Sequence, residues 1–260
     1  MSKNITLEEL YSSKIYIPQS EGVSFKNPKE YVDPFIQAVS KLTDNFSVTV
    51  SDDVVNANED ETTNVAYARV LVEARLPEQY SIIGRDDKTS LDSKIGLIYA
   101  LNTNKPIMKT FAGKDVRACT NLTIFNADHL YSQEMTSNIA SVYKKALTYG
   151  EQVEQELASF RESLEKLDTT VFAKGQQLDE VIGRMLRYAF KSPKLGHTVI
   201  TQGARELYDK NSTYALSREG TTSAWNLYNA ITSFISKADF TDKAQKTILL
   251  SNMMFEMNNN

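Results

Sequence analysis

The 260-residue chain carries 29 basic and 33 acidic side chains, a formal net charge of −4, which argues against coating of nucleic acid through overall charge. One cysteine, Cys119, excludes an intrachain disulfide framework and a zinc site built on paired thiolates. No apolar run reaches bilayer-spanning length and no charged-then-apolar leader occurs, so a cytoplasmic protein with no membrane contact is expected.

In chain order, residues 1–29 hold short apolar pieces around Ile15, Ile17 and Phe25 between Pro18, Gly22 and Pro28, which predict an extended arm or one edge strand. Asn27-Pro28 opens a helix to about Leu42, with Tyr31, Phe35, Val39 and Leu42 on one side. Phe46, Val48 and Val50 alternate with polar residues as a half-buried strand does. The stretch 51–64 is acidic, with Asp52, Asp53, Glu59, Asp60 and Glu61, and predicts a solvated loop. It lacks a calcium loop's central glycine, which Glu61 replaces, and its final glutamate, which Tyr67 replaces. Removing these five charges leaves the rest of the chain near neutral, with room for a local basic groove.

Residues 64–76 predict a single strand with two unlike faces. Ala66, Ala68, Val70, Val72, Ala74 and Leu76 form one, suited to a close helix; Tyr67, Arg69, Leu71, Glu73 and Arg75 form the other. After Pro77-Glu78 a return strand is expected at 80–85, then strands at 95–101 and 107–111 around the loop Asn102-Thr103-Asn104-Lys105, and another at 116–125. From 132 to 167 apolar residues recur at helical spacing through Val142, Ala146, Val153, Phe160, Leu164 and Leu167, with Gly150 as the weak point. This spine is one long helix or two end to end. Helices follow at 176–190, 198–208, 223–235 and 241–255, with Thr221-Thr222-Ser223 and Thr241-Asp242 as caps. The fold class is therefore α+β: an N-terminal antiparallel sheet domain with one packed helix (1–131), then a helical region (132–260) beginning with the spine. A spine of this length has apolar surface to spare for subunit contacts, which predicts a homo-oligomer.

No local catalytic, metal or cofactor motif survives inspection. Gly113-Lys114-Asp115 and the stretch after Gly84 lack the paired glycines of a phosphate loop. Ser141-Val142-Tyr143-Lys144 has acylase spacing but lies in the core stripe, and His129 and His197 stand far apart. No enzyme is expected. Trp225, Tyr228 and Ile235 share a helix side and read as core.

Two segments carry a resemblance. Cys119-Thr120-Asn121-Leu122 and, after the long helix, Ser223-Ala224-Trp225-Asn226-Leu227-Tyr228-Asn229-Ala230-Ile231-Thr232 are similar to the paired motifs of the phage/plasmid-like protein family, whose common domain has no assigned function. The family's basic His-Thr step between them is here Gln133-Glu134-Met135-Thr136. The resemblance implies a mobile-element accessory protein in a host cell. With such an architecture, the first expectation is binding or annealing of single-stranded nucleic acid. Tyr67, Arg69 and Arg75 lie on an open sheet face in that reading, beside Lys105, Lys109 and Phe111 of a neighbouring strand, with Arg117 beyond. The alternative is a protein-binding module that inhibits or redirects a host complex, in anti-defence or transcription. The third is an enzyme whose site assembles only in space.

Overall fold

The change of period along the chain produces an α+β fold, with an antiparallel sheet in the N-terminal half and helices in the C-terminal half. The computed structural model describes residues 2–13, 28–51, 54–56, 65–100, 107–117, 121–124, 130–134, 140–192, 194–237 and 240–258. The acidic loop from 57 to 64, Lys105, Cys119 and His129 therefore lie outside the described residues.

The chain opens with β1 (Ser2–Ile5) and α1 (Leu7–Ser12), an unpredicted helix started by a reciprocal cap. The Thr6 hydroxyl accepts from the Glu9 N–H at 3.1 Å, and the Glu9 carboxylate accepts from the Thr6 N–H at 2.7 Å. After α2 (Pro28–Val39) come β2 (Phe46–Ser51), β3 (Val54–Asn56), β4 (Val65–Tyr67) and β5 (Arg69–Arg75). The single strand expected at 64–76 is thus two, interrupted at Ala68: β4 pairs with β3, while β5 joins the main sheet. The expected return strand at 80–85 is a short 3-10 turn, Glu78–Tyr80, followed by one bridge, Ile82 to Leu91. A tight loop intervenes because Thr89 packs where a Cβ on Gly84 would be, 2.3 Å from its hydroxyl.

Strands β6 (Leu91–Ala100) and β7 (Ile107–Val116) are longer than predicted, and the strand expected at 116–125 shrinks to β8 (Leu122–Thr123). The chain reverses instead, setting Lys114 opposite Thr123 and Asp115 opposite Leu122. The start of the predicted spine is taken by β9 (Leu130–Glu134), and α3 (Ala140–Thr169) is one helix. There follow β10 (Val171–Ala173), α4 (Gln176–Lys191), α5 (His197–Tyr208), β11 (Thr221–Ser223), α6 (Ala224–Lys237) and α7 (Phe240–Asn258). Among the described residues, no helix is long and apolar enough to cross a membrane.

The chain forms two compact units, divided differently from the expected cut between 131 and 132. One comprises Met1–Ser81, Asp92–Gly113 and Asp128–Glu154; the other Ile82–Leu91, Lys114–Ala127 and Gln155–Asn260. Helix α3 supplies both cores, with Val142, Ala146 and Tyr149 in the first and Phe160, Leu164 and Leu167 in the second.

In the first unit the strand order is β1-β2-β5-β6-β7, with β9 also paired to β7. Val48, Val50, Val70, Val72 and Ala74 share a core with Tyr31, Val32, Phe35 and Val39 of α2. Gly150 receives Leu42, whose Cδ1 would lie 2.8 Å from an added Cβ, so the spine's weak point is a notch for a neighbour. In the second unit β10 and β11 form a small ribbon, and Trp225, Tyr228 and Ile231 of α6 pack with Met185, Ile200 and Leu250. The Ser251 hydroxyl donates to the Ile124 carbonyl at 2.7 Å, giving the short β8 segment a partner on α7.

Burial pushes the phenols of Tyr99, in the first unit, and Tyr228, in the second, above the usual tyrosine range. Both stay protonated in the native state while the unfolded chain ionises near pH 10, so above that pH the unfolded state binds fewer protons. Their stabilising contribution is complete below pH 10 and falls as pH rises, by about 1.4 kcal/mol per pH unit for each ring. We expect tyrosinate absorbance in an alkaline titration to show at least these two rings ionising only when the far-UV dichroism collapses. Ionisation of all 13 tyrosines with the dichroism intact would contradict this.

Candidate nucleic-acid interface

The sheet face expected to be open is covered. Arg69, Leu71, Glu73 and Arg75 of β5 lie opposite Ala100, Ile98, Gly96 and Lys94 of β6, so they do share a face. Yet Leu71 and Ile98 on that face are buried, and Phe111 is 1% and Lys109 6% exposed. The Phe111 ring fills the space over Gly96, where an added Cβ would fall 2.2 Å from its Cζ. A ring seated in that way offers no surface to a base. Glu73 pairs with the buried ammonium of Lys94. Tyr67 is half-buried, with the Lys3 ammonium 5.4 Å from its ring centroid. Arg69 and Arg117 are half-buried and Arg75 is exposed, and Arg117 belongs to the other compact unit. Among the described members, Lys109 and Phe111 are buried, so the predicted set does not form an exposed surface as expected.

An exposed aromatic surface with cations forms instead on α4 and α5 of the second unit. The buried stripe of α4 runs through Leu178, Met185 and Ala189, which leaves Phe190, one residue on, outside the core and 70% exposed. Gly196, at φ 82°, ends the connection in a backbone conformation that other residues rarely adopt and starts α5 at His197. The imidazole of His197 then stacks on Phe190, ring centroids 5.3 Å apart and 11° from parallel. Lys191 follows Phe190 directly, Arg187 stands one turn before it, and Lys194 lies in the connection; all three are exposed. Arg184, a turn further back, pairs with Glu180 at 2.7 Å. From 181 to 205 the chain holds five lysines and arginines and no carboxylate. That run, with a phenylalanine off the apolar stripe, is the sequence signal of this surface, and it lies on helices outside the sheet faces where the site was expected.

The same unit contains a polar cleft of about 410 Å³ beside the first turn of α6. Within it the Trp225 indole N–H donates to the Lys88 carbonyl at 2.9 Å, and the Lys88 ammonium donates to the Thr213 carbonyl at 3.0 Å. Arg85 is paired with Asp168 at 2.9 Å. Burial works to raise the Asp86 carboxyl, but hydrogen bonds from the Thr89 hydroxyl and N–H hold it below its usual value. Ser223 caps α6 by accepting from the Asn226 N–H at 3.1 Å. Asn121 donates to the Asn229 carbonyl at 3.1 Å and to the Tyr214 hydroxyl at 3.2 Å, so the two motif segments, 108 residues apart here, meet at this cleft. Trp225 is 2% exposed and stacks on Tyr228, which makes it a core residue with an edge on the cleft.

No protein-family model, curated protein or solved structure matches the chain.

Proposed function

We propose that the protein binds single-stranded nucleic acid through the α4–α5 surface, as an accessory protein of a phage or plasmid acting in the host cytoplasm. The observation that carries this reading is the exposed Phe190–His197 stack among Arg187, Lys191 and Lys194, in a stretch without carboxylates. A base has a face to lay on Phe190 and its phosphates have ammonium and guanidinium groups on either side, a combination that tolerates any sequence. The overall charge of −4 does not oppose this, because attraction to a backbone is set within about 10 Å of the contact at ordinary salt. The likeness of the two motif segments to phage/plasmid-like proteins supports the mobile-element setting.

Fluorescence anisotropy with a labelled single-stranded oligonucleotide across a salt series tests it. Phe190→Ala is expected to weaken binding by about 1–3 kcal/mol at every salt concentration. Lys191→Ala with Lys194→Ala is expected to flatten the slope of log affinity against log salt by roughly 1.4, at about 0.7 per phosphate. Neither variant should move the unfolding transition by more than about 0.5 kcal/mol, since these side chains are exposed. Wild-type protein that fails to bind at low salt would sink the reading and give the surface to a protein partner.

A further inference from the structure

Helices α4 and α5 carry one pattern twice on their outward sides. Asp179, Gly183, Arg187 and Phe190 of α4 follow one another at the same intervals as His197, Thr201, Arg205 and Tyr208 of α5. From first to last of each set the chain makes about three full turns, so both ends of a set share a helix face and stand about 16 Å apart along the axis. Two contacts join the sets end to end. Phe190, last of its set, stacks on His197, first of the other; Tyr208, last of its set, donates its hydroxyl to Asp179 Oδ1 at 3.3 Å. The two helices therefore run antiparallel with these faces on a common side. An exposed ring stands at each end of it, Phe190 at 70% and Tyr208 at 44% exposure.

Between the rings the surface is cationic. Arg187 and Arg205 each stand one turn inward from a ring, both exposed, and among the described residues neither has a carboxylate partner. The Arg187 Nη1 lies 3.8 Å from where a Cβ on Gly183 would be, so this guanidinium is laid back along α4 toward the middle of the span. The Lys174 ammonium sits 5.7 Å from the Tyr208 ring centroid and gives that end a cation too. Of the carboxylates near Tyr208, Asp179 accepts from the phenol, Asp209 accepts from the Asn211 N–H, and Glu206 falls on the other side of α5. Two rings with arginines between them match a polymer of bases and phosphates. A strand whose bases are parted onto separate rings advances at roughly twice the 3.4 Å rise of stacked bases, so about 16 Å holds two to three backbone steps. We propose that Tyr208 is a second stacking platform and that the surface takes a single-stranded segment of about three to four nucleotides, one base on each ring and the intervening phosphates on Arg187 and Arg205. This rests on the reading of α4–α5 as the nucleic-acid surface and adds to it a second anchor and a length. A duplex, whose bases stay stacked on one another, would reach the arginines but not the rings.

Anisotropy with labelled oligothymidylates of increasing length tests it on the full-length protein. Wild-type affinity is expected to climb steeply up to about four nucleotides and only gradually beyond. Tyr208→Ala should weaken binding of a longer strand by roughly 5- to 150-fold, the loss of one stacked base, and leave unchanged that of a dinucleotide, which reaches only one ring. Tyr208→Phe keeps the ring and gives up the hydroxyl bond to Asp179; wild-type binding by this variant separates stacking from a structural role. Arg205→Gln should lower the salt slope by about 0.7 with the longer strand alone. A Tyr208→Ala variant that holds the longer strand as tightly as wild type, or an affinity that is flat beyond the dinucleotide, overturns the second platform and leaves the reading of Phe190 standing. Wild-type protein that binds no oligonucleotide, or releases it as readily to polyglutamate as to unlabelled strand, overturns both.

Discussion

Replacing Trp225 by alanine is expected to destabilise the protein by roughly 3–5 kcal/mol, the usual cost of emptying a buried tryptophan site. The ring is 2% exposed, stacks on Tyr228 at 5.4 Å between centroids, and gives its N–H to the Lys88 carbonyl. Truncation leaves a cavity between α6 and its neighbours and removes the carbonyl's donor, two losses that relaxation of one helix cannot both repair. A domain is stable by only about 5–15 kcal/mol. The second compact unit should therefore lose its structure at a much lower urea concentration than in the wild type. Trp225→Phe should recover most of the packing but not the hydrogen bond, and fall between. An unchanged urea midpoint for the alanine variant would mean that Trp225 is a contact residue rather than a core residue.

Two helical glycines are expected to respond to alanine with opposite signs. Alanine is favoured over glycine in a helix by about 1 kcal/mol. At Gly183 a new Cβ meets a nitrogen of the flexible Arg187 side chain at 3.8 Å, ordinary van der Waals contact, so Gly183→Ala should stabilise by roughly that amount or somewhat less. At Gly203 the new Cβ would sit 2.7 Å from Ile231 Cα and 2.9 Å from Ile231 N, backbone atoms of α6 that cannot rotate aside. Overpacking of this kind typically costs 1–3 kcal/mol, and with helix backbone as the obstacle the larger figure outweighs the propensity gain. Gly203→Ala should lower the urea midpoint while Gly183→Ala raises it. If both variants moved together, the close approach of α5 to α6 would be disproved.

The candidate site shows which kinds of information a linear reading carries. The basic stretch from 181 to 205 is a property of composition, and Phe190 falls off the apolar stripe of α4 by counting alone. Its stacking with His197 is not countable, since it depends on how Gly196 turns the chain into α5. Tyr67, Arg69, Lys109 and Phe111 illustrate the reverse. Alternation correctly separated the two faces of β5, but it could not say that the face bearing Arg69 and Glu73 is covered, because covering depends on residues far away in sequence. Asn226 and Asn229 stood out as part of a motif, yet the direction of their amide oxygens follows from which carbonyls lie nearby.

By itself the sequence determined the α+β class, the antiparallel strands β2, β5, β6 and β7, and helices α2 and α4 to α7, because periods of 2 and 3.6 are local consequences of backbone geometry. It placed a helical spine without a proline break, while the start of that helix at Ala140 instead of 132, and its being one helix instead of two, were decided in space. Only the tertiary structure decided that strand 64–76 divides at Ala68, that 116–125 turns back as β8, and that α3 serves two cores with the change of partner near Glu154. These are questions of pairing, in which the same apolar side chain can be satisfied by several neighbours. The choice among them rests on the summed burial of both partners, which no local pattern records.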